Sequence, residues 1–316
     1  MPRTVAAPSR AELDAAAEAV AARLPPTPLV PAPALGQRVW LKLESLQPTG
    51  AFKVRGALAA LSGLDEGEKV VTASAGNHAL GIAWAATALG RRATVVVPET
   101  ASPAKLAALD AFDVEVVRHG PGYDEAEAHA LTLAERGATY VSPYNDTRVI
   151  AGQATIGREI ELQAPGEVTV VCPLGGGGLA SGLGLWASTR AGARVIACEA
   201  EASRAFRIAL DAGEITPFEP APTIADGLGG NLEPGSVTFE LVRDHVDDIV
   251  FAREPELEDA IRFMATAAGV VIEGAAAAAV AAVRAGRVGD DRPLVIVVTG
   301  RNIARPRLAE LLAAGL

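Results

Sequence analysis

Cysteine is nearly absent from this 316-residue chain, which has two, Cys172 and Cys198. Each ends a Val/Ile-rich run, VTVVC and RVIAC, so both are expected as buried free thiols at strand ends. A disulfide framework or a zinc site needs more ligands at closer spacing. Aromatic residues make up 4% of the chain, so Ala, Val, Leu and Gly must fill the interior, which suits helices packed closely on a sheet. There is no block of Lys/Arg and the net charge is −10. That excludes the basic face of a nucleic-acid binder, and the acidic balance favours solubility. No apolar run reaches membrane-spanning length, and the N-terminal MPRTVAAPSR lacks the apolar core of a signal peptide. The cytoplasm is the expected compartment.

Half the residues are hydrophobic and 21% are charged, enough for a sizeable core in one or two α/β domains. Short β-branched runs alternate with Ala/Leu-rich segments of helical length. Lys69–Ala73, Ala93–Val97, Val114–Val117 and Thr139–Val141 read as strands, with helices over 76–89, 103–111 and 124–136 between and before them. The rhythm restarts with a helix over 149–162, strand Val168–Cys172, a helix over 178–189 and strand Arg194–Cys198. It closes with strand Leu294–Val298 and a helix over 305–313. Strand–helix–strand alternation predicts parallel sheets. The Ala-rich stretch Ala275–Ala282 follows Glu273 and reads as a tightly packed helix. Pro165-Gly166 and 217–222 punctuate loops. Two α/β units with a cleft between them are expected.

Four segments stand out. In Thr49-Gly50-Ala51-Phe52-Lys53-Val54-Arg55-Gly56-Ala57 a lysine follows an aromatic and opens a helix. A solvated lysine is the plain reading, but one held in an apolar place has a lowered pKa and can form an imine or act as a base. Ser74-Ala75-Gly76-Asn77-His78 lies between a strand and a helix, where N–H groups suit a carboxylate or serve as an ordinary cap. His78 reads as a hydrogen-bonded helix residue. Gly175-Gly176-Gly177-Gly178, before Leu179-Ala180-Ser181-Gly182, follows a strand and opens a helix. Four glycines cost backbone entropy, and a phosphate at the helix N-terminus is the natural tenant. The same loop fits G-x-G-x-x-A, with Glu199 after the next strand, so a nicotinamide-dependent dehydrogenase stays open at this point. No Lys-Ser/Thr follows the glycines, which argues against a nucleotide-hydrolysing loop. Thr299-Gly300-Arg301-Asn302 ends the last strand, where α/β sheets bind ligands and a hydroxyl can meet a ring nitrogen.

Taken in this order, and with Val149-Ile150-Ala151-Gly152-Gln153 and Thr223-Ile224-Ala225-Asp226-Gly227, these segments resemble the fold-type II pyridoxal-phosphate family. The threonine/serine dehydratases and serine racemases are nearest. The resemblance runs from about Pro28 to Asn302 and demotes the nicotinamide reading. It implies two open-sheet three-layer domains with the site between them: 1–64 with 146–316 as the large cofactor-binding domain, and 65–145 as the small substrate-loop domain. Lys53 is then similar to the Schiff-base lysine, Phe52 to the residue beside the ring, and Gly175 to Gly178 to the phosphate cradle. Asn77 is similar to the residue that bonds the ring hydroxyl, Ser74 to His78 to the substrate-carboxylate loop, and Thr299 to the Ser or Thr near the pyridine nitrogen.

The resemblance further implies β-elimination from threonine or serine, giving a 2-oxo acid and ammonia, in a homodimer. Serine racemase and 3-hydroxyaspartate dehydratase are the alternatives on this fold, and a small-ligand sensor that kept the pocket is the non-catalytic one. Ala75 stands where the racemases carry a second Ser, so racemisation is expected to be weak. Ala51 replaces the Ser common before Phe-Lys. Arg301 replaces a small residue and is expected to pair with a neighbouring carboxylate rather than with an acidic substrate. Family members that hold a cation use acids after the strand ending here at Cys198. Glu199 is present but Ala205 takes the later position, so no tight metal site is expected. The C-terminal regulatory domain of biosynthetic threonine dehydratases does not follow the last strand, so isoleucine feedback is not expected.

Overall fold

The computed structural model describes residues 3–164, 166–289 and 291–314; Pro165, read above as loop punctuation, lies outside them. Helix α1 (Arg10–Ala21) starts in a capping box. The Glu12 N–H donates to Ser9 Oγ, and the Ser9 N–H donates to the Glu12 carboxylate at 2.7 Å. Each partner satisfies a donor the helix leaves orphaned. Strands β1 (Leu29–Pro31) and β2 (Val39–Lys42) pair antiparallel, and α2 (Lys53–Ser62) follows. Then come β3 (Lys69–Ala73), α3 (Asn77–Leu89), β4 (Ala93–Val97), α4 (Pro103–Leu109), β5 (Glu115–Arg118), α5 (Tyr123–Glu135) and β6 (Ala138–Tyr140). The chain continues through α6 (Thr147–Gln163), β7 (Val168–Pro173), α7 (Gly178–Ser188), β8 (Ala193–Ala200) and α8 (Ala205–Ala212). It ends with α9 (Val237–His245), β9 (Asp248–Ala252), α10 (Glu254–Ala267), α11 (Gly274–Arg284), β10 (Leu294–Val297) and α12 (Arg305–Ala313).

The strands form two sheets. One is parallel throughout, in the order β5-β4-β3-β6. The other runs β1-β2-β10-β7-β8-β9 and is parallel except for its edge strand β1. Parallel strands buried on both faces read as continuous apolar runs, which is why KVVTA, ATVVV and VTVVC were legible. The Ala-rich run forms α11, buried from Gly274 to Ala282. Its small side chains let it lie close to the sheet, and a Cβ on Gly274 would fall 2.0 Å from the Ile224 carbonyl oxygen. Cys172 and Cys198 are buried free thiols on β7 and β8. Burial pushes the Cys172 thiol up to about 12, so it is inert at neutral pH.

Helix α2, which Lys53 opens, is pinned by a buried ionic cluster. Arg55 donates from Nε and Nη2 to both oxygens of Glu44, at 2.7 and 2.8 Å, and from Nη1 to Glu159 at 2.6 Å. Lys42, fully buried on β2, donates to Glu159 at 2.5 Å and to the Thr27 carbonyl at 2.8 Å. Burial lowers the Lys42 pKa, and Glu159 opposes that shift. The two cations and two carboxylates neutralise one another, as buried charges must.

Candidate active site

The segment before Lys53 is laced to the chain that follows β10. Ala51 bridges Gly300, the Phe52 N–H donates to the Thr299 carbonyl at 2.9 Å, and the Arg301 N–H donates to the Gly50 carbonyl at 2.9 Å. Gly50 is required here. Its φ is +75°, and a Cβ would lie 2.5 Å from Asn302 Oδ1. This lacing sets Lys53 at the first turn of α2 with its ammonium donating to the Pro143 carbonyl at 2.7 Å. Lys53 keeps partial access to solvent. Even so, the protein packed around its amine lowers the pKa to about 8, and Glu273 opposes the drop.

Tyr144, the next residue after Pro143, meets the glycine loop. A Cβ on Gly176 would come 2.3 Å from the Tyr144 ring, and one on Gly178 would come 3.0 Å from Tyr144 Cα. Consecutive Cα atoms lie about 3.8 Å apart, so the partner of the Lys53 amine and the wall of the glycine loop are neighbours. A Cβ on Gly177 would fall 2.5 Å from Phe206 Cζ, and one on Gly175 would fall 3.0 Å from Leu228 Cα. Protein packing by itself therefore excludes a Cβ at Gly176 and Gly177 and leaves one little room at Gly175 and Gly178, so the glycine count alone was weaker evidence for a ligand than the sequence suggested. The stronger sign is the helix start. Gly177, with φ +88°, caps α7 without a side chain, so first-turn N–H groups remain free for an anion.

Helix α3 also starts without a side-chain cap, at Gly76. The Gly76 N–H donates to Ser74 Oγ at 3.2 Å, so Ser74 shapes the loop rather than capping the helix. The reading of this motif as an ordinary cap is thereby corrected. Ala75 follows, half-buried. His78 is buried and pairs through Nε2 with the Val141 carbonyl at 3.2 Å. Burial and the nearby Lys53 charge lower its pKa to about 3, so it stays neutral and acts as a helix residue, as expected.

Asn77 has a more constrained place than its motif indicated. Its Nδ2 donates to Glu273 Oε1 at 2.7 Å, and its Oδ1 accepts from Asn302 Nδ2 at 2.7 Å. Asn302 Nδ2 also donates to the Thr49 carbonyl, and the Asn302 N–H donates to Glu273 Oε2 at 3.1 Å. Burial raises the Glu273 carboxyl to about 6. Glu273 and Pro143 were not singled out in the sequence. The one available signal for Glu273 was a lone acid directly before a buried Ala helix.

A model of the pyridoxal-phosphate dependent enzyme family matches residues 20–300. The chain belongs to this pyridoxal-phosphate dependent family. Among its relatives, the L-threonine ammonia-lyase of Thermotoga maritima is 41% identical over 286 residues, 89% of this chain and 71% of that protein. The catabolic L-threonine dehydratase TdcB of Escherichia coli is 37% identical over 281 residues, 86% and 85% of the two. The structure of maize serine racemase superposes with a TM-score of 0.90 at 28% identity, covering 98% of both chains.

The residues present fit the pyridoxal-phosphate group. Thr299 Oγ1 is buried with no partner among the described residues, an unmet hydrogen-bonding group suited to a ring nitrogen. The uncapped α7 start suits the phosphate. Asn77 has one amide hydrogen beyond the one given to Glu273, and that hydrogen suits a ring hydroxyl. The half-buried Phe52 flanks the amine, with Lys53 Nζ 5.2 Å from its ring centroid. One alternative and one expectation fail. Glu199 is 1% exposed and accepts from the Phe206 and Arg207 N–H groups at 2.8 and 3.2 Å. Buried with both oxygens engaged by α8, it is not placed as an exposed ribose-binding acid, and with the family match the dehydrogenase alternative falls. Arg301 is exposed and makes no ion pair with any described residue, so its expected carboxylate partner is missing.

Proposed function

We propose that this enzyme is a pyridoxal-phosphate dependent ammonia-lyase that dehydrates and deaminates L-threonine or L-serine. The observation that carries the reading is the Lys53 amine, lowered to about 8 and held on Pro143, with Ala75 rather than a hydroxyl in the substrate loop. Threonine is favoured by the 41% and 37% identical relatives.

The cofactor, when bound, supplies an electron sink conjugated to the substrate Cα. Lys53 would hold the cofactor, and its amine, when free, would present a basic nitrogen to the Cα proton. The Pro143 carbonyl orients that nitrogen. The free N–H groups at the start of α3 would take the substrate carboxylate, and Asn77 would donate to the ring hydroxyl. Thr299, being neutral, would pair with the ring nitrogen without forcing its protonation. That would favour prompt loss of the β-hydroxyl, which leaves as water on taking up a proton, over a long-lived charge at Cα. Racemisation needs a base on the opposite face, and the Ala75 methyl has no proton to give.

The same reading makes residues 65–145 the small substrate-loop domain against 1–64 with 146–316; in support, β3 to β6 form a sheet of their own. It also takes the enzyme to be a cytoplasmic homodimer. No helix of the described residues is long and apolar enough to cross a membrane. Light scattering tests the dimer. An ammonia-release screen over threonine, serine and 3-hydroxyaspartate tests the reaction. Release from threonine or serine with a matching 2-oxo acid is expected, and recovery of racemised serine without ammonia would sink the reading.

A further inference from the structure

We infer that Glu199 is a positioning residue for the phosphate cradle: from the strand beside it, its carboxylate caps α8 and holds the Phe206 ring against Gly177. The inference rests on the reading of Gly175 to Gly178 as that cradle.

Glu199 lies on β8, the neighbour of the strand that leads into the glycine loop. Its two oxygens accept from the second and third N–H groups of α8, Phe206 at 2.8 Å and Arg207 at 3.2 Å. The helix's own N-cap residue, Arg204, provides no side-chain cap. Without Glu199 those N–H groups would be orphaned at the start of the helix. A carboxylate at that positive end is favourable, yet burying one is costly unless it is paired. Glu199 makes no ion pair with any described residue. Arg207 is engaged with Asp211, and Arg204 lies over the Phe251 ring, 4.8 Å from its centroid. A Ser or Asp at position 204 would cap the helix at lower cost. An acid on the strand does something a local cap does not: it ties α8 to the sheet beneath the glycine loop.

What this fixes is Phe206, the second residue of α8 and fully buried. Its ring edge occupies the space a Cβ on Gly177 would need, with Cζ 2.5 Å and Cε2 3.1 Å from that point. Thr238 closes the same space, its Cβ 2.9 Å from that point and its Oγ1 donating to the Gly176 carbonyl at 2.8 Å. Gly177 is the N-cap of α7 with φ +88°, so the direction of the following N–H groups depends on how it is braced. Phe206 is one brace, and Glu199 holds Phe206. Displacements of about half an ångström in such a support are enough to weaken a preorganised site.

Binding of pyridoxal phosphate and of pyridoxal, which lacks the phosphate, to the apoenzyme tests this directly. Both form the visible adduct with Lys53, so each dissociation constant is read from absorbance. For Glu199→Ala the phosphorylated ligand is expected to weaken roughly five- to tenfold, the size of a lost cap, while pyridoxal holds its wild-type value. Glu199→Gln, which keeps one acceptor, falls between and serves if the alanine variant does not fold. Equal weakening of both ligands overturns the inference, and so does wild-type affinity for the phosphorylated one. Gly177→Ala separates the two levels. If it weakens the phosphorylated ligand but not pyridoxal, and the Glu199 variants do not, the cradle reading stands and the role of Glu199 fails. If it also leaves that affinity untouched, the cradle reading fails first.

Discussion

Asn302 donates through Nδ2 to Oδ1 of Asn77 at 2.7 Å, and together with the Asn77 Nδ2 bond to Glu273 it fixes which way the Asn77 amide faces. With Oδ1 committed to Asn302, Nδ2 must point to Glu273, and its second hydrogen is left as a donor. Asn302→Ala removes one of the two constraints and leaves only the Glu273 bond to orient Asn77. We expect kcat/KM to fall about five- to tenfold, the scale of one neutral hydrogen bond. The absorbance of the bound cofactor should shift with it. Unchanged absorbance and activity would show that Asn77 is oriented by something else.

The amine of Lys53 carries a pH signature. Its pKa is lowered from 10.5 to about 8, so modification of the apoenzyme at Lys53 should rise through pH 8. Between about 8 and 10.5 the unfolded chain binds a proton that the native apoprotein does not. Apoprotein stability should therefore increase with pH across that window and lose this contribution as pH falls through 8. Glu273→Gln removes the charge that holds the amine up, and should move the midpoint lower. A reactivity midpoint near 10.5 in the wild type contradicts the burial argument.

Arg55 anchors the helix that Lys53 opens. Arg55→Ala leaves Glu44 fully buried without its cation while Glu159 keeps Lys42, and should cost about 3–5 kcal/mol of stability in a denaturant titration. Replacing Arg55 by Lys should recover little, because the bidentate fork to Glu44 is lost. A cost below about 1 kcal/mol would mean that water reaches the cluster.

His78 stays neutral far below its ordinary range, with a pKa of about 3. Between pH 6.5 and 3 the unfolded chain takes up a proton that the native state refuses. This contribution to stability is present above 6.5 and falls away on acidification towards 3. His78→Gln should make the acid side of the stability profile shallower. An unchanged slope would show that other groups set it.

The parts of the molecule legible in sequence are those whose physics is local. Lys69–Ala73, Ala93–Val97 and Arg305–Ala313 were delimited residue for residue, because buried parallel strands and an amphipathic end helix carry their own pattern. Helices α1, α8, α9 and α10 and strands β1, β2 and β9 were not singled out. Strand β1 is three residues long and ends in proline, and β2 ends in Lys42, which looks exposed until Glu159 is placed beside it. In the site, Lys53 and the glycine loop announced themselves through unusual residues in a row. Pro143 acts through a backbone carbonyl, which no side-chain pattern reports. Glu273 matters because Asn77 and Asn302 converge on it from opposite ends of the chain. Glu199 fitted a dinucleotide pattern by spacing, and only the N–H groups of α8 show how its oxygens are used.

The central claim is that Lys53 both attaches the cofactor and moves the Cα proton. The direct measurement is ammonia and 2-oxo acid release from L-threonine by the wild type and by Lys53→Ala, each loaded with pyridoxal phosphate. The wild type should turn over and show a visible band that borohydride abolishes. Lys53→Ala should lose that band and at least about a thousandfold in rate, within the span usual for a positioned base and nucleophile. Turnover in Lys53→Ala within tenfold of wild type would contradict the account.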